Sequence, residues 1–302
     1  MSVRRRATPG RARLVVMAAL SALLTAGCAQ ALFGIANAPT YFGSLKRLSA
    51  HYGPGRREVL DVYAPAHARA LPIVIFWHGG GWTSGRRSDY RFVGSALAAR
   101  GIVAVLPDYP LYPDTRFPEL LHDPARAVTW VQAHAGEFGG DPTRIVLMGH
   151  SAGAHMAAFL AFQHHWLLDA GANPGSIRGF VGLSGPYVLE PNSAALNAIF
   201  APPYTPADWQ PARFVDAQAP PTLLFHGLDD RIVAPRQTLA LEQALRAARV
   251  PVESVLVPHR SHADMVAAFA WATRGRAPVL QRTVQFVGQV TRQGAPEPAS
   301  SP

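Results

Sequence analysis

Gly149-His150-Ser151-Ala152-Gly153 sets a hydroxyl between two glycines, directly after the apolar run Ile145-Val146-Leu147-Met148. A small-residue stretch follows it. That order predicts a strand, a tight turn and a helix, with the serine at the turn. The glycines leave room where strand and helix nearly collide, and the turn projects the hydroxyl outward. A helix starting here also offers free backbone N–H groups and a dipole that favours developing negative charge. A serine hydroxyl is a weak nucleophile alone. It needs a general base, and the base needs an orienting group. Asp229 and Asp230, in His226-Gly-Leu-Asp-Asp-Arg-Ile-Val233, are the acidic candidates. We read Asp230 as the acid, with Ile232 and Val233 as apolar anchors that fold the loop back. Asp229 then caps the turn or faces solvent, though sequence leaves the two open. His259 and His262 are the candidate bases. We read His262, which precedes an apolar helical stretch, and place His226 in the packing beneath the acid loop.

The third requirement is a site for negative charge. Ile73 to Trp77 runs into His78-Gly79-Gly80-Gly81-Trp82, where glycines after a buried strand can bring backbone N–H groups close to a substrate. Gly80, Gly81 and Ala152 are the candidate oxyanion donors, each able to contribute roughly 3 kcal/mol in a transition state. His78 is read as stabilising the loop and Trp82 as shaping the substrate pocket. Together these groups describe attack of Ser151 on an ester carbonyl, then hydrolysis of the acyl-enzyme. No metal or organic cofactor has a role in that scheme. Neither a phosphate loop, nor a dinucleotide fingerprint, nor HExxH spacing is present.

These residues must be carried by a sheet. Short apolar, β-branched runs alternate with amphipathic stretches, the pattern of a mostly parallel sheet covered by helices on both faces. Strands are expected at 57–63, 72–77, 102–106, 144–148, 177–183, 222–225 and 252–257. Helices are expected at 91–100, 124–138 with Asp123 as N-cap, 152–162, 237–249 and 278–290. Residues 185–221 carry eight prolines and little periodicity. They read as a short cap, assigned to 186–221, with a small helix near 193–200.

The chain has 302 residues, 49% hydrophobic and 16% charged, which suffices for one large α/β domain. Its formal net charge is +9, from 28 basic and 19 acidic residues. The first 27 residues hold five arginines and no acid, so the rest carries 23 basic and 19 acidic residues, or +4. No dense basic stripe remains, and nucleic-acid binding is not expected. Arg4 to Arg13, the apolar Leu14 to Leu24 and Thr25-Ala26-Gly27 read as a signal peptide over 1–27. Leu24-Thr25-Ala26-Gly27-Cys28 resembles a bacterial lipoprotein lipobox, which implies lipidation of the single cysteine, Cys28. Export to the bacterial cell envelope, as an outer-membrane lipoprotein, is the expectation; the alternative is a periplasmic or secreted protein. Residues 28–50 read as a tether, 51–292 as the catalytic domain and 293–302 as a disordered tail.

From Arg57 to Val290 the chain resembles the α/β-hydrolase superfamily. His78 to Trp82, Asp108-Tyr109 and Gly149 to His155 resemble its HGGG-containing esterase/lipase branch, nearest to feruloyl esterase-like and arylformamidase-like proteins. The resemblance implies the triad Ser151, Asp230 and His262 and a preformed oxyanion loop. It also suggests Asp108 as loop support, and His150, Tyr109 and Tyr187 beside Trp82 in the pocket. That branch often has Asp-Tyr-Arg where this chain has Asp108-Tyr109-Pro110, so an arginine-supported loop is not expected. Hydrolysis of small or short-acyl esters is the leading functional expectation. Arylformamidase and acetyl or feruloyl polysaccharide esterase are alternatives, and a non-catalytic envelope binding protein is a distant one. Protein partners are not legible.

Overall fold

The computed structural model describes residues 33–38 and 45–292. The signal, lipidation and tail assignments lie outside these residues. Eight strands form one sheet: β1 (Lys46–His51), β2 (Val59–Ala64), β3 (Leu71–Trp77), β4 (Val103–Pro107), β5 (Gly140–His150), β6 (Ile177–Leu183), β7 (Thr222–Gly227) and β8 (Val252–Val257). Their order is β1-β2-β4-β3-β5-β6-β7-β8. β1 and β2 pair antiparallel, as do β2 and β4, and every pairing from β4 to β8 is parallel.

The central strands show why the sequence reads as unbroken apolar runs. Ile73, Ile75 and Trp77 of β3 enter one core, and Val74 and Phe76 enter the other. Ile145 and Leu147 of β5 likewise oppose Val146 and Met148. Both faces are covered, so neither side of the pleat can be polar. Helices α1 (Arg91–Ala98), α2 (His122–His134), α3 (Ala152–Phe162) and α4 (His165–Asp169) follow in chain order. After the cap helices α5 (Ala194–Ile199) and α6 (Pro206–Trp209) come α7 (Arg236–Ala247), α8 (His262–Ala267) and α9 (Val279–Val290). Every residue of α3 is buried. A helix apolar on all sides fits only between the sheet and a second layer. Trp209 and Phe200 of the cap are part of that layer.

Two expectations need correction. The sheet begins at Lys46, inside the segment read as a tether. β1 is almost wholly exposed, so it carries no apolar alternation, and its backbone pairing with β2 alone defines it. Asp123 is not an N-cap. It lies inside the first turn of α2, whose cap is Leu121, and it pairs with Arg126. The cap between β6 and β7 holds the expected small helix, α5, with the Ser193 hydroxyl accepting from the Leu196 N–H. It also holds α6, closed by a Thr205–Asp208 capping box.

Candidate active site

Ser151 occupies the turn between β5 and α3 with φ 56° and ψ −122°, a left-handed conformation that disfavours any side chain. Glycine makes the turn possible on both sides. A Cβ on Gly153 would stand 2.1 Å from the Trp77 carbonyl oxygen, and one on Gly149 would stand 2.3 Å from the Gly153 carbonyl carbon. The Ser151 N–H donates to the Leu183 carbonyl at 2.9 Å, which pins the turn to β6.

The acid and base arrive from loops after β7 and β8. Nδ1 of His262 donates to Oδ2 of Asp230 at 2.7 Å. This bond assigns the proton to Nδ1 and leaves Nε2 as the free base. The other oxygen of Asp230 accepts from the Ile232 and Val233 N–H groups, both at 2.9 Å. These backbone amides, not apolar anchoring, fold the loop back, for the Ile232 side chain is 74% exposed. Nε2 of His226 stands 3.2 Å from Oδ2 of Asp230 and donates to the Val233 carbonyl at 2.8 Å. Burial alone would raise the Asp230 carboxyl, but hydrogen bonds from His226 and His262 outweigh it and hold it well below the usual carboxylate range. Asp229 and His259 are solvent-exposed, 3.9 Å apart at their nearest atoms. Of the four candidates, the fold joins Asp230 to His262 and leaves the other two outside.

His150 was placed in the pocket, but the structure assigns it elsewhere. It is buried, and its Nε2 donates to the His262 carbonyl at 3.1 Å, with ring centres 4.7 Å apart. Burial, then the neighbouring His262, pushes its pKa down to about 3. His150 is therefore a neutral prop that ties the base to the residue before Ser151. His226 was read as packing alone, yet its 3.2 Å contact with Asp230 and the hydrogen bond its Nδ1 accepts from the Thr238 hydroxyl make it part of the acid's support. Its place four residues before Asp230, at the end of a buried strand, was the available signal.

On the other side of Ser151, the loop after β3 turns through Gly80 (φ 129°), Gly81 (φ 59°) and Trp82 (φ 58°). The Gly80 carbonyl accepts from the N–H groups of Thr83 and Ser84 and from both hydroxyls. A Cβ at Gly80 would meet the Ser84 carbonyl oxygen at 2.1 Å. Among the described residues, none accepts a hydrogen bond from the Gly80, Gly81 or Ala152 N–H.

Asp108 stands behind this loop. It accepts from the Arg87 backbone N–H at 2.6 Å and its guanidinium at 2.7 Å, with His78 Nε2 at 3.3 Å and Arg57 at 3.6 Å. Burial works against its charge, but contacts from His78, Arg87 and Arg57 win and lower its pKa. The loop is thus arginine-supported after all. Arg57 and Arg87 come from other segments and replace the arginine absent beside Tyr109. Tyr109 itself is fully buried, stacks on His78 and donates its hydroxyl to the His78 carbonyl at 2.8 Å. It supports the loop and lines no pocket. Tyr187 is also fully buried, edge-on to Phe180, and belongs to the core at the base of the cap. Trp82 meets His155 and Phe200 edge-on at 5.0 and 4.9 Å. Together they wall the region beyond the first turn of α3. A cavity of about 460 Å³ lies at the opposite, N-terminal ends of β6 and β7, lined by Ile177, Arg178, Gln218 and Pro221, and holds none of these groups.

Two family models match the chain: BD-FAE over residues 60–177 and the prolyl oligopeptidase family over residues 122–293. A probable isoprenylcysteine alpha-carbonyl methylesterase of Arabidopsis thaliana is 30% identical over 277 residues, covering 84% of this chain and 64% of the relative. Esterase LipQ of Mycobacterium tuberculosis is 30% identical over 295 residues, covering 87% of this chain and 68% of the relative. The chain thus spans less than two thirds of the plant relative's length. Among solved structures, esterase B from Lactobacillus rhamnosis superposes with a TM-score of 0.77 at 20% identity, covering 95% of this chain and 98% of that one. A truncated carbohydrate esterase from gut microbiota gives 0.71 at 19%, covering 82% and 97%. These two share the fold.

Proposed function

The chain belongs to the α/β-hydrolase superfamily, in its esterase/lipase branch, and on that premise we propose that it is a serine-dependent carboxylic-ester hydrolase acting on short-acyl esters. The observation that carries this reading is the 2.7 Å Asp230–His262 hydrogen bond, with the His262 carbonyl accepting at 3.1 Å from His150, the residue before Ser151. Ser151 attacks the ester carbonyl while Nε2 of His262 takes its proton. Asp230 keeps the imidazole in the tautomer that leaves Nε2 free, and stabilises the imidazolium that forms. The carbonyl oxygen, now negative, accepts from the N–H groups of Ala152 and of Gly80 or Gly81. His262 returns the proton to the leaving alcohol, and a water activated at the same nitrogen frees the acid. The aromatic wall of Trp82, His155 and Phe200 favours acetyl and propionyl groups over longer chains.

Replacing Ser151 by alanine lowers kcat by about 10⁴-fold or more. A phosphonate ester adds its mass at Ser151 in the native chain and not in the variant. Full turnover by the variant would remove the assignment.

The N-terminal pattern supports export, with Cys28 as the lipidated first residue of the mature chain. Among the described residues no helix is long and apolar enough to cross a membrane. Mass analysis of the mature N-terminus should find an acylated cysteine; a free thiol there would refute the anchor.

A further inference from the structure

The base side of the site ends in a surface that exposes three large apolar side chains. Leu228, Ile232 and Trp271 are 46%, 74% and 57% exposed. Leu228 and Ile232 flank Asp230 on the acid loop, and Trp271 lies in the turn after α8. These segments adjoin. The Asp229 N–H donates to the Arg260 carbonyl at 2.9 Å, and Arg260 Nε donates to the Arg276 carbonyl at 3.0 Å. Arg276 bonds back through its N–H to Thr273.

The same patch is cationic. Among the described residues, none of Arg231, Arg260, Arg274 and Arg276 pairs with a carboxylate. The acids of the rim are Asp229, beside His259, and Asp264, which accepts from the Ser261 N–H and hydroxyl. Soluble surfaces seldom expose large apolar side chains in such a cluster without a partner. Tryptophan beside unpaired arginines suits a headgroup layer, where the ring enters the interface and the guanidinium groups meet phosphate.

The position of the chain's N-terminal part points the same way. Phe33 packs on Tyr90, and Phe33 and Ala36 join the core that holds Met265, Phe269 and Ala270 of the α8 region. Residue 33 therefore stands on the sheet face that carries this turn. Only four residues separate it from Cys28, a reach of at most about 18 Å.

We propose that the turn after α8 and the tip of the acid loop form a docking rim for an anionic phospholipid surface. The rim would hold the domain against the bilayer with the active site at its edge. This goes beyond the ester-hydrolase reading and does not depend on Cys28 being acylated.

The test uses the full chain carrying Cys28→Ser and Ala272→Cys, so that a polarity-sensitive fluorophore sits on the exposed residue next to Trp271 and nowhere else. With vesicles of phosphatidylcholine and phosphatidylglycerol, its emission shifts to the blue and is quenched by a lipid-borne nitroxide. Pure phosphatidylcholine gives neither effect. Arg274→Gln with Arg276→Gln weakens docking about thirtyfold, from roughly fivefold per surface arginine. Trp271→Ala also weakens it, while turnover of a water-soluble ester is unchanged in each variant. Three results would overturn the proposal. The chain could sediment with vesicles while the label stays unshifted, so that only the N-terminal segment binds. The shift could be equal on pure phosphatidylcholine, or equal from a label at Leu239→Cys on α7, which packs on the other face. A soluble acidic polysaccharide could produce the same shift. A chain that docks but turns over no ester would leave the rim standing and remove the hydrolase reading.

Discussion

The two flanks of Ser151 are built on opposite electrostatic plans. The oxyanion flank is fixed by permanent charge, with Asp108 gripped by Arg87 and Arg57 and by the buried His78. On the base flank, Asp230 is held by two imidazoles and two backbone amides, and among the described residues no guanidinium pairs with it. The difference follows from the task of each flank. Backbone donors must only stay in place, so strong ion pairs at their back do no harm. A base must gain and lose a proton. A guanidinium on its carboxylate would neutralise the charge that steadies the imidazolium. His150, neutral from burial, props the base without adding charge.

The comparison can be broken most sharply at the acid. Asp230→Asn should lower kcat by about 10⁴-fold by losing the tautomer lock, while Asp229→Asn changes kcat/KM by less than about twofold. Equal losses from both would mean that the loop, not the carboxylate, matters. Next in size is Asp108→Asn. Freeing Arg57 and Arg87 should loosen the Gly80–Gly81 donors and cost about 10²-fold in kcat, comparable to one oxyanion donor. The shape of the pH profile should persist, because no titrating group of the base flank is touched. A moved profile would show that the flanks are coupled.

A smaller effect concerns acyl choice. Trp82→Ala opens the wall formed with His155 and Phe200. It should raise the butyrate-to-acetate ratio of kcat/KM by about tenfold, within what one or two methylenes are worth. An unchanged ratio would place the acyl group elsewhere.

The smallest effect is on stability. Burial pushes His150 down to about 3 and His155 to about 4. Both bind a proton more readily when unfolded. Their contribution is full above pH 6.5, the ordinary histidine value, and falls as pH drops toward 4, by at most about tenfold in the unfolding constant per pH unit for each. His155→Gln keeps a donor for the Trp209 carbonyl and should flatten the fall of Tm between pH 6.5 and 4. An unaltered slope would assign the acid sensitivity to other groups. The depressed Asp230 carboxyl acts only lower down. Its stabilisation is present above about pH 3.9, the unfolded value, and is lost as pH falls below it.

Much of this was legible in the chain. The runs at Ile73–Trp77 and Ile145–Met148 signal strands covered on both faces. The glycines around Ser151 signal a crossing so close that no Cβ fits. Strands 177–183 and 252–257 and helix 152–162 appear with the ends their patterns give. The edge strand at Lys46 left no such mark, because an exposed strand paired on one side needs no apolar alternation.

The sequence by itself determined the central strands, the tight turn at Ser151 and the order in which acid and base follow it, since these rest on local spacing and backbone sterics. Only the tertiary structure decided that Asp230 rather than Asp229 meets His262, that Arg57 and Arg87 stand in for an arginine missing beside Tyr109, and that His150, Tyr109 and Tyr187 are props rather than pocket walls. Each of those outcomes depends on segments far apart in the chain. Their approach is set by how helices and loops pack on the sheet, and no short-range pattern encodes it.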